Sequence, residues 1–451
     1  MAAMIVAVVI FVVMFALIIM DKIERQYVTL AAGALMIVVV FLAIMHDPGA
    51  VWRTLNLATF GTKEFWVASS AGEEGSAGVN WSTILFIAGM MIMVEGMGKA
   101  GFFHWLCMKL AKLVHYKPLP LMFAFMILSF FLAMFIDSIT VILFLAAITV
   151  QLAGTLKVSP APLILAEIFC ANLGGSATMS GDPPNIIIGS ALGYTFFDFL
   201  ENTGIVALVG LVAMCVYFYV IFHKQLAVST ITDEEIAALP TAESFIKDRR
   251  YFIESTIIFL IAIVLLVTHA QTHLTVPTIG VIAAVLALIS ARKLAVELLK
   301  NIDYKTLLFF VGLFIVVGGL EETGVLTMLA NWIKDISGGS LGIMIIVILW
   351  VSAFASAIVD NIPFSATMVP VIKALAATTG VDLHVLAWAL SIGTDIGGNG
   401  TPIGASANVV GISLCAKNGT IITWKYYLVR MVPATIIVCA IATAILFVRF
   451  V

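Results

Sequence analysis

Residues 394 to 408, TDIGGNGTPIGASAN, read as a loop, with four glycines, a proline, an aspartate and an asparagine at each of two positions. The chain on either side is strongly apolar. Over 451 residues it is 62% hydrophobic and 11% charged, with a mean hydropathy of +1.15. A soluble domain has too little interior to hide that much apolar surface, so the chain is read as a polytopic helical membrane protein. In hydrocarbon every backbone N–H and C=O must be satisfied within the protein, and non-helical backbone survives only where helices pack it or a wet cavity borders it. Such a break between two half-helices is a candidate ion or substrate site.

A second stretch matches the first. At a constant offset of 223 residues, ANLGGSATMSGDPPN (171–185) aligns with 394–408, and it pairs Gly174 with Gly397, Gly175 with Gly398, Thr178 with Thr401 and Asn185 with Asn408. The same offset pairs Gly89 with Gly312, Gly101 with Gly324 and Asp137 with Asp360. Chance apolar similarity does not keep polar residues in register, so the chain carries an internal repeat. The halves also differ in register: Asp395 stands opposite Asn172, and Asp182 opposite Ala405.

Apolar runs of roughly 20 residues divide each half into helices, interrupted at 119–153, 160–193, 341–372 and 385–416. The segments 119–153 and 341–372 are expected to be re-entrant hairpins, and 160–193 and 385–416 broken crossings. That topology places all but Arg53, Lys63, Lys334, Lys373 and Arg449 of the 23 Lys and Arg residues on one side. This matches the cytoplasmic excess of positive charge. It gives five crossings per half, so 1–222 and 251–451 form inverted repeats joined by a cytoplasmic linker, 223–250, with both termini outside. The apolar N-terminus, Ala2 to Met20, reads as a retained membrane helix. Residues Phe102 to Lys117 read as an amphipathic helix at the cytoplasmic interface.

The chemistry is expected where polar residues interrupt apolar runs. Asp137, Ser138 and Thr140 fall at one hairpin tip, and Asp360, Asn361 and Pro363 at the other. The breaks contribute Asn172, Gly175, Thr178, Asp182 and Asn185, and Asp395, Asn399, Thr401 and Asn408. A charged carboxylate at membrane depth costs at least about 2.5 kcal/mol, and such acids mark ion binding, proton relay or pairing. Oxygen-rich turns suit a hard cation, and Asp137, Ser138, Asp360 and Asn361 are candidate ligands for a bound sodium ion. Against this, an Asp or Ser at a hairpin tip can simply cap a helix. For Ser138 alone the two readings weigh equally; for four aspartates in related positions, capping is the weaker one. Glu95 and Glu167, near the ends of apolar runs, read as snorkelling acids. No Arg or Lys is expected near the site. No metal or redox cofactor is expected beyond sodium, since the five cysteines show no CxxC spacing. A net charge of −3 says nothing about a nucleic-acid partner and no basic domain suggests one, and the absence of HExxH and of an intramembrane Ser-His pair argues against an enzyme.

VDNIPFSATMVPV (359–371), GGNGTPIGASANVV (397–410) and GGSATMSGDPPNIII (174–188) resemble the pigmentation P protein branch of the ion transporter superfamily, which has a citrate-transporter-like domain. That superfamily also holds arsenite efflux pumps, D-type sodium/proton antiporters and sodium/dicarboxylate symporters. The resemblance implies a homodimer whose transport domain moves against a scaffold by an elevator-like step, in contact with membrane lipid and a small inorganic or organic ion. Where dicarboxylate symporters carry Ser-Asn-Thr at both tips, this chain has Asp-Ser-Ile and Asp-Asn-Ile. The expected function is therefore Na⁺- or H⁺-coupled secondary transport. An arsenite or anion transporter, or an anion channel on the same fold, are the alternatives.

Overall fold

A computed structural model describes residues 1–20, 22–68, 78–227 and 239–451. The acidic run Asp233, Glu234 and Glu235 of the expected linker lies outside the described residues. The described residues form helices, with one isolated antiparallel bridge between Val67 and Leu274. Eleven helices among them are long and apolar enough to cross a membrane.

The first half runs through α1 (Ala2–Met20), α2 (Arg25–Leu35, continued by a π-wound segment Met36–Ile44), α3 (Trp81–Ala100), α4 (Phe102–Leu113), α5 (Pro118–Ala133), α6 (Ser138–Thr155), α7 (Ala161–Gly175), α8 (Pro183–Leu192) and α9 (Ile205–Leu226). The second runs through α10 (Arg249–Val267), α11 (Val276–Ala291), α12 (Tyr304–Glu322), α13 (Val325–Ser337), α14 (Leu341–Ile358), α15 (Asn361–Thr379), α16 (Leu383–Gly397), α17 (Ser406–Lys417) and α18 (Trp424–Phe450).

Local signals recur at the 223-residue offset. Asn80 caps α3 by accepting from Thr83 N, and Asp303 caps α12 by accepting from Thr306 N. These acceptors satisfy a first-turn N–H that the helix itself leaves unpaired. Gly101 and Gly324 follow the same two helices in the left-handed conformation, φ +87° and +77°, which an L side chain disfavours.

The halves are interlocked by crossed packing. Helix α3 lies against α11 so closely that a Cβ on Gly89 would sit 2.1 Å from Gly280 O. Helix α12 lies against α2, where a Cβ on Gly312 would sit 2.4 Å from the Thr29 carbonyl carbon. Glycine is what permits backbones to meet at this distance, and close backbone approach replaces the hydrophobic drive that lipid cannot supply.

Exposed apolar rows at helical spacing lie on α1 (Ile5, Val9, Val12), α9 (Leu208, Val212, Val216) and α10 (Ile253, Ile257, Leu260, Val264), the surface a membrane-spanning helix offers to lipid. The centre is the reverse: every residue of α7, and every residue of α16 from Val385 on, is buried. The polar breaks follow these two innermost helices directly. Helix covers more of the two loop-like stretches than their composition predicts. The breaks narrow to 176–182 and 398–405, the latter opening with a 3₁₀ turn at Gly398–Gly400.

Candidate functional site

Four helices, α6, α8, α15 and α17, begin next to the breaks and tips. Asp137, Asp182 and Asp360 stand at the N-cap positions of the first three, and Ala405 at that of α17. A carboxylate there opposes the positive end of the helix dipole. Only part of the acid set is consumed by capping. Asp137 turns wholly inward on its own helix: Oδ1 accepts from Thr140 N at 2.9 Å and Oδ2 from Thr140 Oγ1 at 2.6 Å. Both oxygens of Asp137 are thus engaged by Thr140.

Asp360 differs because the residue three positions on is Pro363, which has no N–H. Its Oδ1 accepts from Ile362 N instead, at 3.2 Å, and Oδ2 is left to accept from Arg25 Nη1 at 2.7 Å and from Ser406 Oγ at 3.2 Å. The expectation that no Arg approaches the site is thereby corrected. Arg25 entered the count of loop charges, and nothing local in the sequence points it at a residue 335 positions away.

Asp182 does no capping. Its Oδ1 accepts from Ser138 Oγ at 2.9 Å and its Oδ2 from Asn361 Nδ2 at 3.2 Å. Ser138 and Asn361 are the first residues of α6 and α15, so one carboxylate ties the two turns together. It is 2% exposed, with Asp137 and Asp360 as its charged neighbours. Three carboxylates gather here, one of them paired with the Arg25 guanidinium, and the carboxylate, hydroxyl and amide oxygens are the donors a hard cation takes. Asp137 has the least to offer such an ion, because both of its oxygens already accept from Thr140.

The glycines and threonines of the breaks hold the frame. Thr178 Oγ1 donates to Met134 O and Thr401 Oγ1 to Ala357 O, again 223 residues apart, satisfying carbonyls of the last turn before each tip. Gly175 packs against Asp182, where an added Cβ would lie 3.2 Å from the aspartate's own Cβ. Asn185 Nδ2 donates to Gly175 O and Thr178 O at 3.0 and 3.1 Å; Asn408 Nδ2 donates to Gly398 O and Thr401 O at 2.8 and 2.9 Å. Each asparagine thus closes its break with both amide hydrogens.

Between the breaks lies a second polar group. Asn172 Nδ2 donates to Asn399 Oδ1 at 2.9 Å and to Asn408 Oδ1 at 3.1 Å, crossing from one half to the other. Ser391 Oγ donates to Asn185 Oδ1 at 2.6 Å and the Tyr427 hydroxyl to Asn399 O at 3.1 Å. Asp395 is fully buried within this group, and neither of its oxygens has a hydrogen-bond partner.

The fifteen site residues expected from the sequence therefore fall into a tip cluster around Asp182 and a midline cluster around Asn172 and Asp395. Sequence reasoning missed Arg25, Ser391 and Tyr427. It also misread Glu167, which does not snorkel: it is fully buried, and Thr149 Oγ1 donates to its Oε1 at 2.6 Å. Glu95 does reach outward, to Asn301 at 2.7 Å.

Comparison with known proteins agrees with this architecture. The family model described as "Citrate transporter" matches residues 15–393. A 46 kDa membrane protein of Mycobacterium leprae is 30% identical over 448 residues, covering 99% of both chains. The P protein of Mus musculus is 27% identical over 424 residues, covering 76% of this chain and 50% of that protein. Among solved structures, the Alcanivorax borkumensis YdaH transporter matches with a TM-score of 0.57 at 13% identity, covering 94% of this chain and 96% of that one, a likeness of fold.

Proposed function

The chain belongs to the citrate transporter family and is a membrane transporter, and from that premise we propose that it is a secondary active transporter driven by Na⁺ or H⁺. The observation that carries this reading is Asp182, a buried carboxylate held by Ser138 and Asn361 from the two halves, with Asp137 and Asp360 beside it. Three acids against Arg25 leave an excess of negative charge at membrane depth. A coupling cation or protons would relieve it, and their arrival would change the fit between the two tips.

The expected topology draws support from which residues meet. Both ends of the α14–α15 pair lie with groups assigned outside: Gly342 meets Phe447 and Val451, and Lys334 Nζ donates to Thr378 O. On the opposite side Gln151 and Thr155 of α6 share a cleft with Pro240 and Phe245. Ion pairs keep to their sides too: Arg53 with Asp47 and Glu322 outside, Lys99 with Glu297 and Lys305 with Glu24 inside. In this reading α5–α6 and α14–α15 are re-entrant, the repeats are inverted, and both termini are outside. An elevator step in a homodimer follows from the family resemblance.

The test is flux in proteoliposomes with an entrapped pH dye, under imposed Na⁺, Li⁺ or K⁺ gradients, with citrate or arsenite as solute and Asp182→Asn as control. Flux that depends on Na⁺ or on pH, and that falls at least tenfold in Asp182→Asn, is the expected result. Rapid solute flux independent of any counter-ion would establish a channel instead.

A further inference from the structure

Asn172 and Asp395 occupy equivalent places in the two halves, yet their surroundings are satisfied differently. Asn172 donates to Asn399 Oδ1 and Asn408 Oδ1. The residues 223 positions before those two are Ser176 and Asn185, and Asn185 is the polar side chain that lies against Asp395. It has nothing to donate there. Both of its amide hydrogens go to Gly175 O and Thr178 O, as those of Asn408 go to Gly398 O and Thr401 O. What Asn185 offers is Oδ1, which accepts from Ser391 Oγ and keeps a second lone pair. Where Asn172 brings N–H groups to its acceptors, an ionised Asp395 brings lone pairs to a lone pair. Its oxygens are accordingly both without a donor at 0% exposure.

We propose that Asp395 is a proton-carrying site of the transporter, donating from its carboxylic acid O–H to Asn185 Oδ1 as Asn172 donates to Asn408 Oδ1, so that Asn172 is its permanently protonated counterpart. On release, the Oδ–H bond breaks, the electron pair stays on the carboxylate, and the proton passes to water admitted at the break. Reprotonation from water on the other side reverses the step. The groups around it fit a site that is neutral when closed. Asp182 is its acidic neighbour across the two breaks. Helix α18 presents the Tyr427 phenol, committed to Asn399 O, and α14 presents Ser352 and Ser356. Helix α7 carries Glu167, and α15 carries Asp360, bound to Arg25, and Lys373 toward its far end.

The inference rests on the transporter reading only in taking the proton to be moved; the protonation itself is measurable without any solute. Infrared difference spectra of the purified protein at pH 7, wild type minus Asp395→Asn, are expected to show the C=O stretch of a protonated carboxylic acid, shifted in D₂O. A carboxylate band in its place, above all one that responds to added Na⁺, would overturn the proposal. The double exchange Asn172→Asp with Asp395→Asn is expected to restore the acid band from the other half. Should Asp395→Asn not fold, Asn172→Asp alone is expected to add an acid band, and a carboxylate band from it would count equally against the proposal. In proteoliposomes under a pH gradient, Asp395→Asn is expected to lose at least 90% of dye-reported proton movement, and undiminished movement would overturn the proposal. A wild-type protein with the acid band and no proton movement in any gradient would overturn the proposal, whereas the coupled-transport reading fails only if solute flux also ignores Na⁺.

Discussion

Arg25 Nη1 lies 2.7 Å from Asp360 Oδ2, joining the first residue of α2 to the N-cap of α15 across most of the sequence. The aspartate side chain is 5% exposed and the arginine 31%. Removing one partner of a mostly buried pair leaves a charge with little solvent to receive it. Arg25→Gln is therefore expected to destabilise the protein more than Arg25→Gln combined with Asp360→Asn. A coupling of about 1–3 kcal/mol should appear in a double-mutant cycle followed by thermal melting in detergent. Additive effects would mean that the pair contributes nothing.

Capping and ion binding by Asp137 can be separated by one atom. Asparagine caps a helix about as well as aspartate, whereas alanine cannot accept from Thr140 N. Asp137→Ala is expected to cost about 0.5–2 kcal/mol and Asp137→Asn only a few tenths. If capping is the main task of Asp137, coupled flux in Asp137→Asn should stay within about threefold of wild type, far above Asp182→Asn. Equal losses in the two would return Asp137 to the ion site.

Two glycines make a matched test of the central packing. A Cβ on Gly397 would sit 2.3 Å from Ala353 Cα, a contact between backbones that only a shift of α14 against α16 could relieve. Gly154, within α6, has nothing within 4 Å of an added Cβ. Gly397→Ala is expected to lower stability by about 1–3 kcal/mol or abolish expression, while Gly154→Ala should be neutral or stabilising by up to about 1 kcal/mol. Fluorescence-detected size exclusion after graded heating distinguishes the two outcomes.

Outside the membrane-spanning helices, Arg53 clasps Asp47 at 2.8 Å and Glu322 at 2.7 Å. Hydrogen bonding from Arg53 holds the Asp47 carboxyl below its ordinary value. A group depressed in the folded state contributes stability that is complete above its unfolded value of about 3.9 and is lost as the pH falls through the lower folded value. Hydrogen exchange over residues 46–56 should be unchanged between pH 7 and pH 5 once corrected for the intrinsic rate. Protection there should fall on acidification below about pH 3.9, and Arg53→Gln should weaken that pH dependence, leaving the part due to the Ala50 and Gly49 backbone N–H groups.

Much of the frame was legible because it is written twice. The offset that pairs Thr178 with Thr401 and Asn185 with Asn408 in the sequence reappears as paired hydrogen bonds to equivalent carbonyls, because each break needs the same backbone groups satisfied. Residues without a counterpart were harder to read. Arg25 meets Asp360 only because Pro363 stands where the first half has Thr140, so a missing N–H frees one carboxylate oxygen for a distant helix. Ser391 has Ile168 as its counterpart, and its hydrogen bond to Asn185 exists in one half alone. Glu167 looked like an acid at the end of a run because apolar periodicity records composition and not depth; its helix is the most enclosed in the protein.

The crossed glycine contacts, Gly89 on Gly280 and Gly312 on Thr29, bear on how the chain is made. Synthesis proceeds from the N-terminus, so α2 and α3 enter the bilayer well before α11 and α12 exist to cover them. The first half then waits with two notched faces turned toward lipid, open to chaperones or to a wrong neighbour. Neither half reaches its final packing alone, and the protein becomes one body only when residues 276–322 have been inserted.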